Sequence, residues 1–102
     1  MAIPTVFKSV TTANTDIDVS GALTSNGTIN INVTNFGSNT TFVTISISNT
    51  SSPANNEHID YAVPLAASET MERTGVVVLT NEHVVVRDDK GTCSVRIHGY
   101  LG

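Results

Sequence analysis

The 102-residue chain contains no Trp, a single Cys and few charged residues. One Cys cannot form an internal disulfide, so the fold does not depend on an oxidising compartment. Charged residues make up 14% of the chain and aromatic residues 5%, and the charged fraction is well below the usual quarter. A core built from this composition is mainly aliphatic and β-branched, which favours strands over helices.

Basic residues are also scarce, because five Lys and Arg stand against nine Asp and Glu, for a net charge of −4 and a pI of about 5.0. Binding to nucleic acid or to an anionic membrane depends on clustered basic residues, so we expect neither partner. The sequence has no charged-then-apolar leader and no apolar run near the ~18 residues of a membrane helix. We therefore expect no signal peptide and no membrane span.

Ser, Thr and Asn make up about a third of the chain, and apolar residues alternate with them at a period of two. The C-terminal stretch Gly75–Gly102 shows this most clearly and predicts three strands with two tight turns, at 80–82 and 88–91. We expect these strands to form an antiparallel meander with one apolar face that packs on another layer. The side chains expected to face inward in the last two strands are Val84, Val86, Cys93, Val95, Ile97 and Leu101.

Two further segments, Thr28–Asn35 and Thr41–Ser48, alternate cleanly and predict an antiparallel hairpin. Shorter strands are expected within Met1–Thr15 and Asp16–Ser20. Another is expected where Ile59, Tyr61 and Val63 alternate on one face of the chain, and Pro64 is expected to end it. Glu69–Thr74 is expected to be an extended strand with a bulge or bend at Gly75.

Seven to eight short strands at this spacing predict an all-β fold, an antiparallel β-sandwich of Ig-like or jelly-roll-like type. We expect one domain over residues 1–102, since the length matches a single domain and no linker divides it. Residues 1–12 are expected to be an edge strand or a docking arm.

No motif predicts a catalytic, cofactor or metal site. The three histidines, His58, His83 and His98, have no neighbouring ligand in sequence, although His83 and His98 are expected to face outward on adjacent strands. Cys93 is expected in the core rather than as a nucleophile. Asp88-Asp89-Lys90-Gly91 lacks the ligand spacing of a calcium loop and indicates a turn.

The remaining candidate groups do not predict a functional site either. Four Asn-X-Ser/Thr triplets are explained by the abundance of these residues, and no spacing forces two carboxylates into one cleft. The carboxylates considered are Glu57, Asp60, Glu69, Glu72, Glu82, Asp88 and Asp89. Four apolar residues are expected to face outward and are candidate interface anchors, namely Phe7, Phe42, Val85 and Tyr100.

The C-terminal half resembles the small β-sandwich virion structural proteins of tailed bacteriophages, especially those of marine and cyanobacterial phages. The resemblance lies in the spacing of the strands and the residues of the turns, and the Thr28–Ser48 segment shows a similar pattern. Its residues are Pro64, Glu69-Thr70, Val76–Leu79, Val84–Arg87 and Val95–Tyr100.

This resemblance implies a multicopy, non-enzymatic structural protein, foremost a capsid decoration or cement protein. Such a protein would be made in the host cytoplasm, bind the major capsid protein and copies of itself, and stabilise the head from the capsid surface. A tail, neck or fibre-attachment component is an alternative. A carbohydrate-binding sandwich is another, with Tyr61 or Tyr100 beside Asn55-Asn56, and an enzyme or copper-binding domain is disfavoured by the absent motifs.

Overall fold

Residues 2–102 are described by a computed structural model in which eight strands form two antiparallel four-stranded sheets. Met1, the first residue of the predicted 1–12 segment, lies outside the described residues. The all-β sandwich predicted from the alternation is therefore confirmed. The strands are β1 (Ile3–Val10), β2 (Ile17–Asp18), β3 (Gly27–Asn35), β4 (Thr41–Ser48), β5 (His58–Leu65), β6 (Thr70–Val78), β7 (His83–Asp88) and β8 (Cys93–Leu101), with a 3-10 turn at Asn55–Glu57.

The strand order distinguishes between the two predicted sandwich types. Sheet A has the order β1-β8-β3-β6 and sheet B the order β2-β7-β4-β5. This is the order of an eight-stranded jelly roll rather than of an immunoglobulin-like sandwich. Within the described chain, six of the seven connections cross from one sheet to the other, and the β4–β5 connection alone stays within a sheet.

The predicted C-terminal meander is wrong. β6 pairs with β3 in sheet A, β7 pairs with β2 and β4 in sheet B, and β8 pairs with β1 and β3 in sheet A. The predicted hairpin between Thr28–Asn35 and Thr41–Ser48 is wrong for the same reason, because β3 and β4 lie in different sheets. A tight turn reverses the chain in either arrangement, so its residues do not say which sheet the next strand joins.

Two features of sheet A agree with the predictions, namely its edge strand β1 and the bulge in β6. β1 is an edge strand that pairs only with β8, which is one of the two forms predicted for residues 1–12. β6 is extended, and its pairing with β3 shifts register between Ile29 and Ile31. Gly75 lies at this shift with a φ of +65°, a conformation that glycine adopts without steric penalty. The predicted bulge at Gly75 is thus confirmed.

The alternation predicted for β5 is wrong. β5 shifts register against β4 twice, between Val43 and Ile45 and between Ile45 and Ser46. Each shift inserts an extra residue into β5, so Ile59 and Tyr61 are exposed. Of the three residues predicted to share a face, only Val63 packs against the core. The strand also continues through Pro64, which is tolerated because β5 lies at the edge of sheet B.

The core lies between the inner faces of the two sheets and is almost entirely aliphatic. Each buried Ile or Val contributes roughly 1.5–3 kcal/mol relative to exposure. The edges of the sheets are also linked, because Arg73 of β6 forms a two-point ion pair with Asp60 of β5 at 2.7 and 2.8 Å. The most deeply buried side chains are Ile29, Ile31, Val33, Val43, Ile45, Val78, Val84, Val86, Cys93 and Ile97.

Four connections that cross between sheets meet at one end of the sandwich, which we call the Asn35 end. They are the β1–β2, β3–β4, β5–β6 and β7–β8 connections. Asn35 is fully buried there. Its Nδ2 donates to the carbonyls of Asn39 at 2.8 Å and Leu65 at 3.0 Å. Its Oδ1 accepts from Gly37 N and from Thr92 Oγ1.

Asn35→Ala removes these four hydrogen bonds and leaves buried partners unsatisfied. We expect the free energy of unfolding to fall by about 2–4 kcal/mol, measured by urea denaturation. Asn39→Ala is the matched control, because Asn39 is exposed and takes part in this network through its backbone carbonyl. It should change stability by less than about 0.5 kcal/mol. Equal losses in the two variants would contradict this role of the Asn35 side chain.

Candidate interaction surfaces

The outer face of sheet A is an open, regular surface. β1, β8 and β3 pair without a register shift, so their outward side chains form rows across the sheet. One row joins Pro4, Tyr100 and Thr28 and continues to Val77 of β6. The slab that carries this face measures 42 × 25 × 17 Å, so the face is broad relative to the thickness of the protein.

Apolar side chains of β1 and β8 gather at one corner of this face, which we call the Tyr100 corner and define by Pro4, Val6 and Tyr100. Tyr100 is 60% exposed and Val6 47% exposed. A shallow depression of about 540 Å³ lies beside Tyr100 and is floored in part by Gly99. Large exposed apolar groups that cluster at one place mark a contact surface more strongly than the same groups scattered singly.

Two basic residues lie side by side in the next part of the same face. Lys8 of β1 is directly opposite Arg96 of β8. Neither forms an ion pair with a carboxylate within residues 2–102. Like charges directly opposite each other in a sheet are destabilising. The arrangement therefore leaves a local positive charge on a chain whose net charge is −4.

The four predicted interface anchors do not form one surface. Tyr100 is exposed on sheet A and Phe42, 48% exposed, on sheet B, so the prediction of exposure is right for both, on opposite sides of the protein. It is wrong for Phe7, which packs against the core. It is also wrong for Val85, which is only 2% exposed.

The reasons for the two errors differ. In β1 the two neighbours of Phe7, Val6 and Lys8, are exposed, so alternation turns Phe7 inward. The charge of Lys8 was the signal that could have identified the solvent side of this strand. Val85 does face outward from the core, but β7 is a central strand. Its neighbours in register, Asp18 and Ser46, flank it on both sides.

The histidines are dispersed and each has a different partner. His58 Nδ1 hydrogen-bonds with Ser46 Oγ at 2.6 Å, and His83 Nδ1 with Asp18 Oδ2 at 2.7 Å. The expectation that His83 and His98 lie on adjacent strands is wrong, because β7 and β8 belong to different sheets. Residues 2–102 contain no cluster of three or more His, Cys, Asp or Glu side chains suited to a metal ion.

Cys93 lies in the core, as its position in the alternation predicted. Its backbone N–H donates to Thr11 Oγ1 at 3.0 Å. Burial, together with the nearby negative charge of Asp88, raises the pKa of the Cys93 thiol to about 12. The thiol is therefore protonated at neutral pH and shielded from solvent, which is the opposite of what a nucleophile requires.

The predicted turn at Asp88-Asp89-Lys90-Gly91 is confirmed as the β7–β8 connection, and Asp88 organises it from a buried position. Burial alone raises the pKa of Asp88, but hydrogen bonds outweigh it and hold the pKa below its ordinary value. The donors are the hydroxyl of Thr41 and the backbone N–H groups of Gly91 and Thr92.

Several of the other predicted carboxylates also hold backbone or side chains in place. Glu57 accepts from Ala54 N and Ser48 Oγ, which lowers its pKa, with the Ala54 contact the main cause. Glu69 accepts from the N–H of Ala66 and Glu82 from that of Leu79. Together with Asp60 and Asp88, these groups are engaged in structural contacts.

No helix among residues 2–102 is both long and apolar enough to cross a membrane.

No family model matches the chain, and a comparison with curated proteins finds no match.

Cys93 should react with a thiol reagent only when the protein unfolds, because its thiol is buried and its pKa is raised to about 12. Native protein at pH 8 should remain unlabelled while protein in guanidinium chloride is labelled completely, as measured by mass spectrometry. Rapid labelling of the native protein would overturn the core position of Cys93.

The depressed pKa of Asp88 predicts an acid-sensitive contribution to stability. A carboxyl whose pKa is lower in the folded state binds fewer protons there than in the unfolded state. Its stabilisation is therefore present above about pH 4 and is lost as the pH falls through the folded-state value. Wild type should exceed Asp88→Asn in free energy of unfolding at pH 7, and the difference should shrink toward pH 3 in urea titrations. A difference that does not change with pH would contradict the assignment.

Proposed function

We propose that the chain is a structural subunit of a tailed-bacteriophage particle, a head decoration protein that binds the major capsid protein and copies of itself. The observation that carries the proposal is the outer face of sheet A. It combines the exposed Tyr100 corner with the unpaired cations Lys8 and Arg96 on a flat, regular surface. A recognition surface with an aromatic anchor and a charged surround is typical of protein–protein contacts.

The way polar groups are used supports a binding role rather than catalysis. The most buried polar side chains, including Asn35, Thr41 and Asp88, hold the connections at the Asn35 end. Cys93 has a strongly raised pKa in the core. A nucleophile needs a base within hydrogen-bonding distance and a third group that orients the base, and these residues are arranged for stability instead.

Charge indicates what kind of surface the partner presents. Lys8 and Arg96 favour a partner that carries carboxylates at the contact. A second copy is one such partner, since the net charge of −4 means that each copy carries more carboxylates than cations. A contact between two different surfaces of identical subunits is a heterologous contact, which closes into a ring when the rotation between subunits permits it.

The fold adds support by analogy alone. Eight-stranded jelly rolls occur in viral capsid proteins, but also in lectins and in cupins. A fold hosts many functions, so the assignment rests on the surface of sheet A and not on the topology.

The test uses purified particles of the phage that encodes the chain. We expect the protein to be present in them in many copies and to be removed by mild stripping, which should leave intact heads that burst more easily. Purified wild-type protein should then rebind the stripped heads saturably in a sedimentation assay. Its absence from particles, or its binding to tails rather than heads, would overturn the proposal, the second result in favour of a tail or neck component.

A surface variant tests the role of sheet A in the same assay. Tyr100→Asp removes the aromatic anchor, and we expect roughly 30-fold weaker binding to stripped heads, the loss typical of an interface hot spot. Phe36→Asp is the matched control, because Phe36 is an exposed aromatic residue in the β3–β4 connection, outside sheet A. Equal binding by Tyr100→Asp and wild type would contradict the use of this face.

A further inference from the structure

We infer that the outer face of sheet B carries a binding groove for a neutral sugar ring, with Tyr61 as the stacking residue. The groove encloses about 410 Å³, within the range of small-molecule sites. The residues that define it, and that we call the Tyr61 groove, are Phe42, Thr44, Asn55, His58, Tyr61 and Arg87. This inference goes beyond the proposed structural function, because it concerns the opposite face of the protein.

Tyr61 reaches the groove only because β5 is irregular. Regular alternation with Val63 would turn Tyr61 toward the core, whereas the register shift between Val43 and Ile45 makes Thr44 oppose two residues, Tyr61 and Ala62. Tyr61 is consequently 71% exposed. Bulges often redirect a side chain next to a functional site.

The same irregularity stores backbone strain at the next residue. Ala62 has a φ of +48°, in the left-handed region that costs a non-glycine residue roughly 1–2 kcal/mol. The N–H of Ala62 donates to Thr44 Oγ1 at 3.0 Å, which holds this conformation. The strained conformation buries no aromatic surface, since Tyr61 stays exposed. Strain of this kind is concentrated at binding sites. We therefore attribute the strained backbone of Ala62 to its effect on Tyr61, whose ring it holds on the outer face of the sheet.

The Tyr61 ring is held in place by its neighbours. The rings of Tyr61 and His58 lie 5.2 Å apart with a tilt of 36°. His58 is in turn anchored by its 2.6 Å hydrogen bond to Ser46. Asn55 lies on the loop that Glu57 closes by accepting from Ala54 N and Ser48 Oγ. The Tyr61 ring and the backbone that carries Asn55 are therefore positioned before any ligand arrives, which favours binding.

Three carboxylates, Asp16, Asp88 and Asp89, and one guanidinium, Arg87, line the groove. Arg87 lies 3.5 Å from Asp16, Asp89 lies 3.7 Å from Lys90, and Asp88 is buried. The excess of carboxylates disfavours an anion, so a neutral ligand is favoured over an anionic one. The side chains of Asn55, Arg87 and Asp16 supply both donors and acceptors.

These features together specify the class of ligand. A pyranose ring has an apolar face of C–H groups that stacks on an aromatic ring, and a rim of hydroxyls that both donate and accept hydrogen bonds. The Tyr61 and Phe42 rings match the first property, and the amide, guanidinium and carboxylate groups match the second. A neutral hexose unit of a surface glycan is thus the occupant that we propose.

The test titrates the full chain with neutral methyl glycosides of glucose, galactose and mannose and with N-acetylglucosamine, followed by NMR. Glucuronate is the anionic comparison. A ligand of this size is expected to bind with a Kd of about 1 mM. At least one neutral glycoside should shift the amide signals of Tyr61, Ala62 and Asn55, and glucuronate should shift them less. No shift from any neutral sugar at about 20 mM, or a stronger response to glucuronate, would overturn the inference.

Three variants separate stacking from folding. Tyr61→Ala should weaken binding about tenfold or more, whereas Tyr61→Phe should retain it, because the ring face rather than the hydroxyl makes the stack. Tyr100→Ala, the matched control on sheet A, should bind sugar as wild type does. Retained binding in Tyr61→Ala, or equal losses in Tyr61→Ala and Tyr100→Ala, would overturn the inference. The Tyr100 result in the sugar titration is independent of its result with stripped heads, so failure of either proposal is recognised separately.

Discussion

The jelly roll depends on satisfying the backbone where the chain leaves one sheet and enters the other. In a hairpin, the peptide groups flanking a turn pair with each other, but a connection that crosses the sandwich separates them. Buried peptide groups without partners are costly. At the Asn35 end, the side chains of Asn35 and Asp88 supply the missing partners and join neighbouring connections. Thr11 and Cys93 complete the link to the β1–β2 connection through two further hydrogen bonds.

Because of this arrangement, the buried side chains stabilise the fold and are not available to bind a ligand or a partner. The aliphatic inner faces of both sheets meet in one core, and the buried polar groups at the Asn35 end are occupied in holding turns. Function is left to the two outer faces, which differ in character. Sheet A is regular across β1, β8 and β3, and its features arise from the side chains that occupy the outward rows. The β5 edge of sheet B is irregular, with two register shifts and a strained Ala62.

The candidate surfaces were only partly predictable. Exposure of Tyr100 and Phe42 follows from alternation, because each sits out of phase with the buried residues of its strand. Phe7 was misplaced because a short edge strand offers two possible phases, and the aromatic residue took the buried one. Tyr61 stands with Asn55 in the groove because of bulges in β5. The sequence suggested that pair as one possible sugar site, but its alternation placed Tyr61 on the same face of β5 as Val63.

Local sequence alone determined the existence of the strands, the inward positions in β3, β7 and β8, the bulge at Gly75 and the turn at residues 88–91. These features depend on side-chain periodicity and on the φ values that glycine permits, both of which act within a few residues. The tertiary structure alone decided which sheet each strand joins, and hence the jelly roll in place of a meander. That choice depends on contacts far apart in the chain, such as Asn35 with Leu65 and Thr92. A tight turn has the same local energy whether the strand that follows lies beside the previous strand or across the core from it.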